Sequence, residues 1–276
     1  MNFSLRSATR LVTMTAAMVA ALGSAGAMAQ TSTDAPEQPA ADAWKFTLGL
    51  GVGSGPKYPG SSERKTRALP IFSANYGRYF IGGTPSAGAP VGLGAYLYQD
   101  DHWRLGAGLG GNLEKPRKES DSPSLRGLGD IDATALGSVF ATYSDKWFSV
   151  RGSVVTDIGG KHEGTRASLG FDAKYALTDK LLLSAGPGIT WADRKYTQTF
   201  FGIDATQSAN SGLPVYTAKS GLNSIRFTVG ADYRLTPNWS LGTRFSVDDL
   251  RGDAADSPIT QKKAQNSFSL FAAYRF

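Results

Sequence analysis

The chain has 276 residues, no cysteine, 33 glycines and a formal net charge of +6, which rules out disulfide staples and thiolate metal sites. After the N-terminus no apolar run approaches the roughly 18 residues of a spanning helix, so any membrane crossing falls to strands of about 9 to 11 residues. The positive excess forms no Lys/Arg cluster and no aromatic-basic stripe, which excludes nucleic acid as a partner.

Arg6 and Arg10 precede the apolar stretch Leu11 to Leu22, and Ala27-Met28-Ala29 supplies a small-x-small pattern before Gln30. This predicts a secretory signal peptide over 1–29, whose removal takes the net charge to +4. Gly23, Ser24 and Gly26 interrupt the apolar core, which argues against an uncleaved anchor, and no Cys follows that would mark a lipoprotein. Residues 30–43, rich in Thr, Pro, Ala and Asp, have little to bury and read as a flexible periplasmic lead-in.

From Trp44 onward, runs of period two predict strands over 44–53, 68–76, 78–83, 90–98, 102–112, 132–143, 146–157, 165–177, 180–194, 221–235, 238–250 and 265–276. In the eighth, Ala167, Leu169, Phe171, Ala173 and Tyr175 oppose Arg166, Ser168, Gly170, Asp172 and Lys174. Pro70, Pro85 and Pro90 disturb strands two to four. The last strand alternates Phe268, Leu270, Ala272, Tyr274 and Phe276 against Ser267, Ser269, Ala273 and Arg275, with Phe271 breaking the pattern, and it resembles the closing strand that the barrel-assembly machinery reads in outer-membrane proteins.

One-sided alternation also fits a soluble sandwich. The connections discriminate. Gly77, 99–101, 144–145, 178–179 and 236–237 are tight, whereas 54–67, 84–89, 113–131, 158–164, 195–220 and 251–264 are mostly longer. Short turns on one rim, longer loops on the other and an even strand count predict an all-β fold: a transmembrane antiparallel barrel of about 12 strands over 44–276 in the outer membrane of a Gram-negative cell. Its outer wall would meet the membrane lipids, and its termini and short turns would be periplasmic. Aromatics such as Trp44, Tyr76, Trp103, Tyr143, Trp239, Tyr274 and Phe276 gather beside the short turns, as an interfacial girdle would.

No constellation of residues predicts catalysis, a metal site or a cofactor. His102 falls at a short turn and His162 in a long loop, so they cannot share a site, and His162 with Ser168 is a poor hydrolase pair. Asp130 with Asp132, and Asp248 with Asp249, read as solvated loop acids or a loose Ca²⁺ site. Gly49, Gly51, Gly53 and Gly55 lack a following helix and so form no phosphate loop; they let the wall bend and keep its inner side small. By parity Lys45, Arg104, Arg151, Arg166, Lys174, Arg194, Arg226, Arg234 and Arg244 point inward with Asp172, Asp232 and Asp248. Charge facing lipid costs about 2 to 4 kcal/mol at the midplane, so only the basic excess is informative. It either braces the wall by pairing with the acids or favours anions in a water-filled passage.

Three stretches carry a family resemblance. They are Gly53-Ser54-Gly55-Pro56-Lys57-Tyr58-Pro59-Gly60-Ser61 with Leu69-Pro70; Gly127-Leu128-Gly129-Asp130-Ile131; and Tyr196-Thr197-Gln198-Thr199-Phe200-Phe201-Gly202-Ile203, continuing to Gln207 and Ser211-Gly212-Leu213-Pro214-Val215-Tyr216. The chain resembles the MipA/OmpV family of outer-membrane proteins. That resemblance implies a monomeric barrel and, for the founding member, a scaffold joining an MltA-type lytic transglycosylase to a murein synthase. Other members are similar to adhesins, porins or immunogenic surface proteins. The motifs fall mainly in predicted outer loops, away from the periplasm where murein enzymes work.

Overall fold

The computed structural model describes residues 43–84, 89–112 and 114–276; the predicted signal peptide and all but the last residue of the lead-in lie outside them. Twelve strands close into one antiparallel barrel. They are β1 (Lys45–Pro56), β2 (Arg64–Tyr76), β3 (Tyr79–Thr84), β4 (Ala89–Gln99), β5 (Trp103–Gly111), β6 (Ala135–Ser144), β7 (Phe148–Asp157), β8 (Thr165–Ala176), β9 (Leu181–Ala192), β10 (Gly221–Arg234), β11 (Trp239–Leu250) and β12 (Ala264–Arg275). Each pairs with its sequence neighbour, and β12 returns to β1 from Thr47↔Arg275 to Ser54↔Phe268. Among the described residues no helix is long and apolar enough to cross a membrane.

The alternation that predicts the strands also sets their two faces. Leu48, Leu50 and Val52 on β1 and Phe227 and Val229 on β10 face outward and are exposed, as a lipid-contacting surface requires. Inward positions are small or polar, with exceptions that fit together. Leu69 lies over Gly53, where an added Cβ would sit 2.9 Å from the leucine Cδ1. Phe271 faces inward opposite Gly242, which leaves room for its ring, and the Arg244 guanidinium lies 5.7 Å from that ring's centre. Phe80 and Phe140 occupy the inner side above Gly94 and Gly106 and pack with Tyr96 into a buried aromatic cluster. The inner glycines are thus sockets for aromatic and aliphatic side chains.

At the rim of short turns, Trp44 packs on Tyr76 at 5.2 Å, Trp103 on Tyr143 at 5.0 Å and Trp239 on Tyr274 at 5.2 Å. The terminal Phe276 is tied in by its amide, which donates to the Phe46 carbonyl at 3.0 Å.

Several boundaries differ from the sequence expectation. β1 and β2 run on to Pro56 and back to Arg64, which shortens the first loop to 57–63 and puts Ser54 to Pro56 on a strand. β6 begins at Ala135 rather than at 132. β9 ends at Ala192 because the Asp193 carboxylate accepts from the Tyr196 amide at 2.7 Å and starts helix α1 (Arg194–Phe201). Arg194 is therefore a helical residue and not an inward strand residue. Two further helices, α2 (Ala205–Ser211) and α3 (Gly252–Asp256), lie in stretches expected to be plain loops, because helices this short present too few turns for a periodicity to register.

Candidate functional site: the capped lumen

The outer loops 57–63, 112–134, 193–220 and 251–263 fold against one another into a single cap. Its core has two apolar clusters. Tyr58, Leu125, Leu128, Ile203 and Ile259 form one, with Leu213 and Tyr216 packed on it. Ile131, Phe200, Phe201, Leu250, Ala254 and Ala255 form the other, with Tyr196 alongside. Each loop contributes too little apolar surface to fold alone, so burial is shared between chain segments far apart in sequence.

The motif residues sit at the joints of this cap. Pro56 ends β1, and the Tyr58 hydroxyl shares a hydrogen bond with the Ser124 hydroxyl at 3.0 Å. Gly60, at a φ of 94° that favours glycine, offers its carbonyl to the amides of Gln261 and Lys262 at 2.8 and 3.0 Å. The Ser61 carbonyl accepts from the Gln265 side chain at 3.2 Å. Gly129 has a φ of 72°, and Asp130 accepts from the Glu119 amide at 2.8 Å and from Lys115 at 3.0 Å. Tyr196 stacks on Phe200 with ring centres 4.4 Å apart. Gln198 accepts from the Ala218 amide at 2.8 Å. Phe201 is fully buried, and beside Gly202, Ile203 exchanges two 2.9 Å backbone hydrogen bonds with Tyr216. Ser211 accepts from the Leu213 amide at 3.2 Å, and Gly212 closes α2 in the left-handed conformation.

Charge is threaded through the cap as well. Arg117 is 2% exposed, and its Nη1 donates to the Phe200 carbonyl at 3.1 Å. Burial lowers the pKa of this guanidinium below its ordinary value. A hydrogen bond from Lys57, and then one from Ser122, hold the Glu63 carboxyl below the usual range. Asp130 is lowered first by the Glu119 amide and then by Lys115, and Asp132 first by Lys115, which lies 2.8 Å from it. Lys115 thus bridges the acid pair considered for Ca²⁺. The other pair divides, with Asp248 meeting Arg226 and Asp249 meeting Arg251 at 2.6 Å. Among the described residues no cluster of three or more His, Cys, Asp or Glu side chains could hold a metal. His102 stacks on Tyr143 at the short-turn rim, and the Ser168 hydroxyl shares a hydrogen bond with Thr190 at 3.2 Å.

Below the cap lies a chamber of about 650 Å³ walled chiefly by β7 to β12 and roofed by Tyr58, Pro116 and Tyr196. The three inward acids are each met by an arginine across the wall. Asp172 pairs with Arg151. Asp248 accepts from Arg226 Nε at 2.8 Å, and Asp232 accepts from Arg244 Nη2 at 2.9 and 2.7 Å through its two oxygens. Arg166 lies over the Tyr196 ring at 5.8 Å instead of meeting Asp172. Arg104 stands opposite Thr142, and Lys174 opposite Ser184. Arg234, at the short-turn rim, donates to the Asp179 carbonyl at 2.7 Å.

Two chamber residues escape the sequence reading. Arg67 belongs to β2 upstream of its predicted start, where inward Leu69 and Ile71 blur the contrast between the faces. Asn223 is turned inward by a register shift between Leu222 and Ser224, which period two cannot anticipate.

The chain is similar to several known proteins. YiaT of Escherichia coli (strain K12) is 23% identical over 232 residues, which cover 82% of this chain and 91% of that protein. The MltA-interacting protein of the same organism is 21% identical over 233 residues, covering 84% and 90%. The NanC porin superposes with a TM-score of 0.44 at 11% identity, covering 84% of this chain and 99% of that one. The sequence model of the MltA-interacting protein MipA matches residues 48–276. This outer-membrane barrel, with its lumen braced by arginine–aspartate pairs and its loops fused into a cap, belongs to the MipA family.

Proposed function

We propose that this protein is a non-enzymatic scaffold that holds murein-processing enzymes, a lytic transglycosylase of the MltA type and a murein synthase, at the outer membrane. The observation that carries this reading is the bracing of the lumen. Every inward carboxylate among the described residues that parity had marked is engaged by an arginine, and residues of three cap loops roof the chamber. Such a barrel is suited to being held against other proteins more than to bulk conduction. The name of the MltA-interacting relative supports the choice of partner. Contact would fall on the periplasmic turns, where Trp147 is 70% exposed beside Asp145 and Lys146, and on the lead-in 30–43. The closing strand at Phe276 would be read by the barrel-assembly machinery before any partner is met.

The test is a pull-down from crosslinked cells with the tagged mature protein. Enrichment of a transglycosylase and a synthase over an unrelated barrel is expected. Equal recovery from both barrels would remove the scaffold reading. Steady single-channel conductance in planar bilayers, with no such enrichment, would replace it with a solute channel. Binding of intact cells to a host surface, lost on deletion of the protein, would replace it with an adhesin.

A further inference from the structure

We infer that the chamber under the cap is a binding site for a small polyhydroxylated anion, a sugar-sized molecule bearing a carboxylate or a phosphate. This goes beyond the scaffold reading, whose partner contacts would fall on the short turns at the other end of the barrel.

Two of the chamber's arginines, Arg151 and Arg226, are neutralised by Asp172 and Asp248, but two others are not. Among the described residues Arg67 and Arg166 have no carboxylate within ion-pair distance. Arg67 donates only to the Lys57 carbonyl, at 3.3 Å, and Arg166 rests over the Tyr196 ring. A guanidinium presents its donors in a flat fork that matches a carboxylate or phosphate, and it binds such groups more strongly where water is sparse. Glu163 lies near enough to feel the Arg166 charge but forms no ion pair with it, so two forks in one enclosed space remain open to an oxyanion.

A second observation comes from the backbone. The irregularity in β10 turns Asn223 into the chamber wall, where it is 7% exposed and its Nδ2 has no acceptor among the described residues. A buried amide donor without a partner costs free energy. Bulges that re-aim a side chain recur at functional sites. Asn223 lines the same chamber that Arg67 and Arg166 border.

The remaining lining defines the rest of the ligand. Ser168, Thr190, Thr228 and Ser267 place hydroxyls around the walls, and Tyr196 supplies an aromatic face in the roof. Hydroxyls and an aromatic face suit a hydroxylated ring, whereas a hydrocarbon would strand these polar groups. The volume, about 650 Å³, lies within the roughly 300–1,000 Å³ of small-molecule sites.

The experiment is isothermal titration of the refolded full barrel in detergent with glucuronate, glucose 6-phosphate, inorganic phosphate and glucose. Folding is checked by the heat-dependent gel shift. Saturable binding of glucuronate or glucose 6-phosphate, with glucose silent, is expected, and the tighter of the two identifies carboxylate or phosphate as the preferred head. Arg67→Gln with Arg166→Gln should weaken binding at least about tenfold, and rising salt should weaken it in the native protein. If the double variant does not fold, Asn223→Ala decides the matter, with a severalfold loss expected. The inference is overturned if the folded barrel binds neither sugar anion, if glucose or inorganic phosphate binds as well as they do, or if the folded variants bind as tightly as the native protein.

Discussion

Gly242 and Phe271 show how single residues shape the inside of the wall. The aromatic ring occupies the space a side chain at 242 would need, and its face carries the Arg244 guanidinium. Gly242→Val should therefore displace the ring and destabilise the barrel by about 1–3 kcal/mol, the usual cost of overpacking. Urea unfolding in detergent should recover much of that loss in the pair Gly242→Val with Phe271→Ala, and an additive double variant would deny the coupling. From the sequence, Phe271 was visible only as a break in alternation. The partner glycine could not be identified, because the register between β11 and β12 follows from pairing and not from either strand alone.

At the scale of elements, the outer loops behave as one unit held by apolar contact and by carboxylates of opposite pH sensitivity. Glu63, Asp130 and Asp132 have lowered pKa values in the folded cap, so the stability they contribute is present at neutral pH and is lost as pH falls through those values. Cap loosening is expected below about pH 4. Pepsin at pH 3 should cut near Phe200, Phe201 and Leu125 while the strands survive, and an uncut cap would contradict the ion-pair account. Glu163 has the reverse sign. It is 2% exposed, and burial pushes its carboxyl above the ordinary range, so its ionised form weakens the fold as pH rises. Glu163→Gln keeps an acceptor for the Asn112 amide, which now donates at 2.7 Å, and should raise the thermal midpoint at pH 7 by a few degrees. A lowered midpoint would mean that Arg166 stabilises the charge after all. The existence of long loops was legible in spacing, as were the stretches that build the cap. Their helices and mutual packing were not, because capping by Asp193 and Asp204 acts over three residues and the packing spans scores of them.

For the whole molecule, the wall is uneven. β1 and β2 share a register from Lys45↔Asn75 to Pro56↔Arg64, whereas β2 and β3 pair only from Ser73↔Gly82 to Tyr76↔Tyr79. Strand count, closure and girdle were all readable, since lipid outside and water inside impose period two throughout. The weak stretch is also where Pro70 disturbs the pattern. Hydrogen exchange should find the β2 amides ahead of Ser73 that point away from β1 the least protected among strand residues. Uniform protection around the barrel would contradict this.

The surface a bacterium presents to its surroundings is ordinarily where sequence can drift one loop at a time. Here Tyr58, Leu125, Ile203 and Ile259, from four different loops, share a single core. A change that unseats one of them disturbs all four segments, so variants that escape an antibody by altering one loop will tend to lose the shape of the others. Epitopes on this face are accordingly composite. Sera raised against isolated loop peptides should bind intact cells poorly, while sera raised against the folded barrel should bind them well.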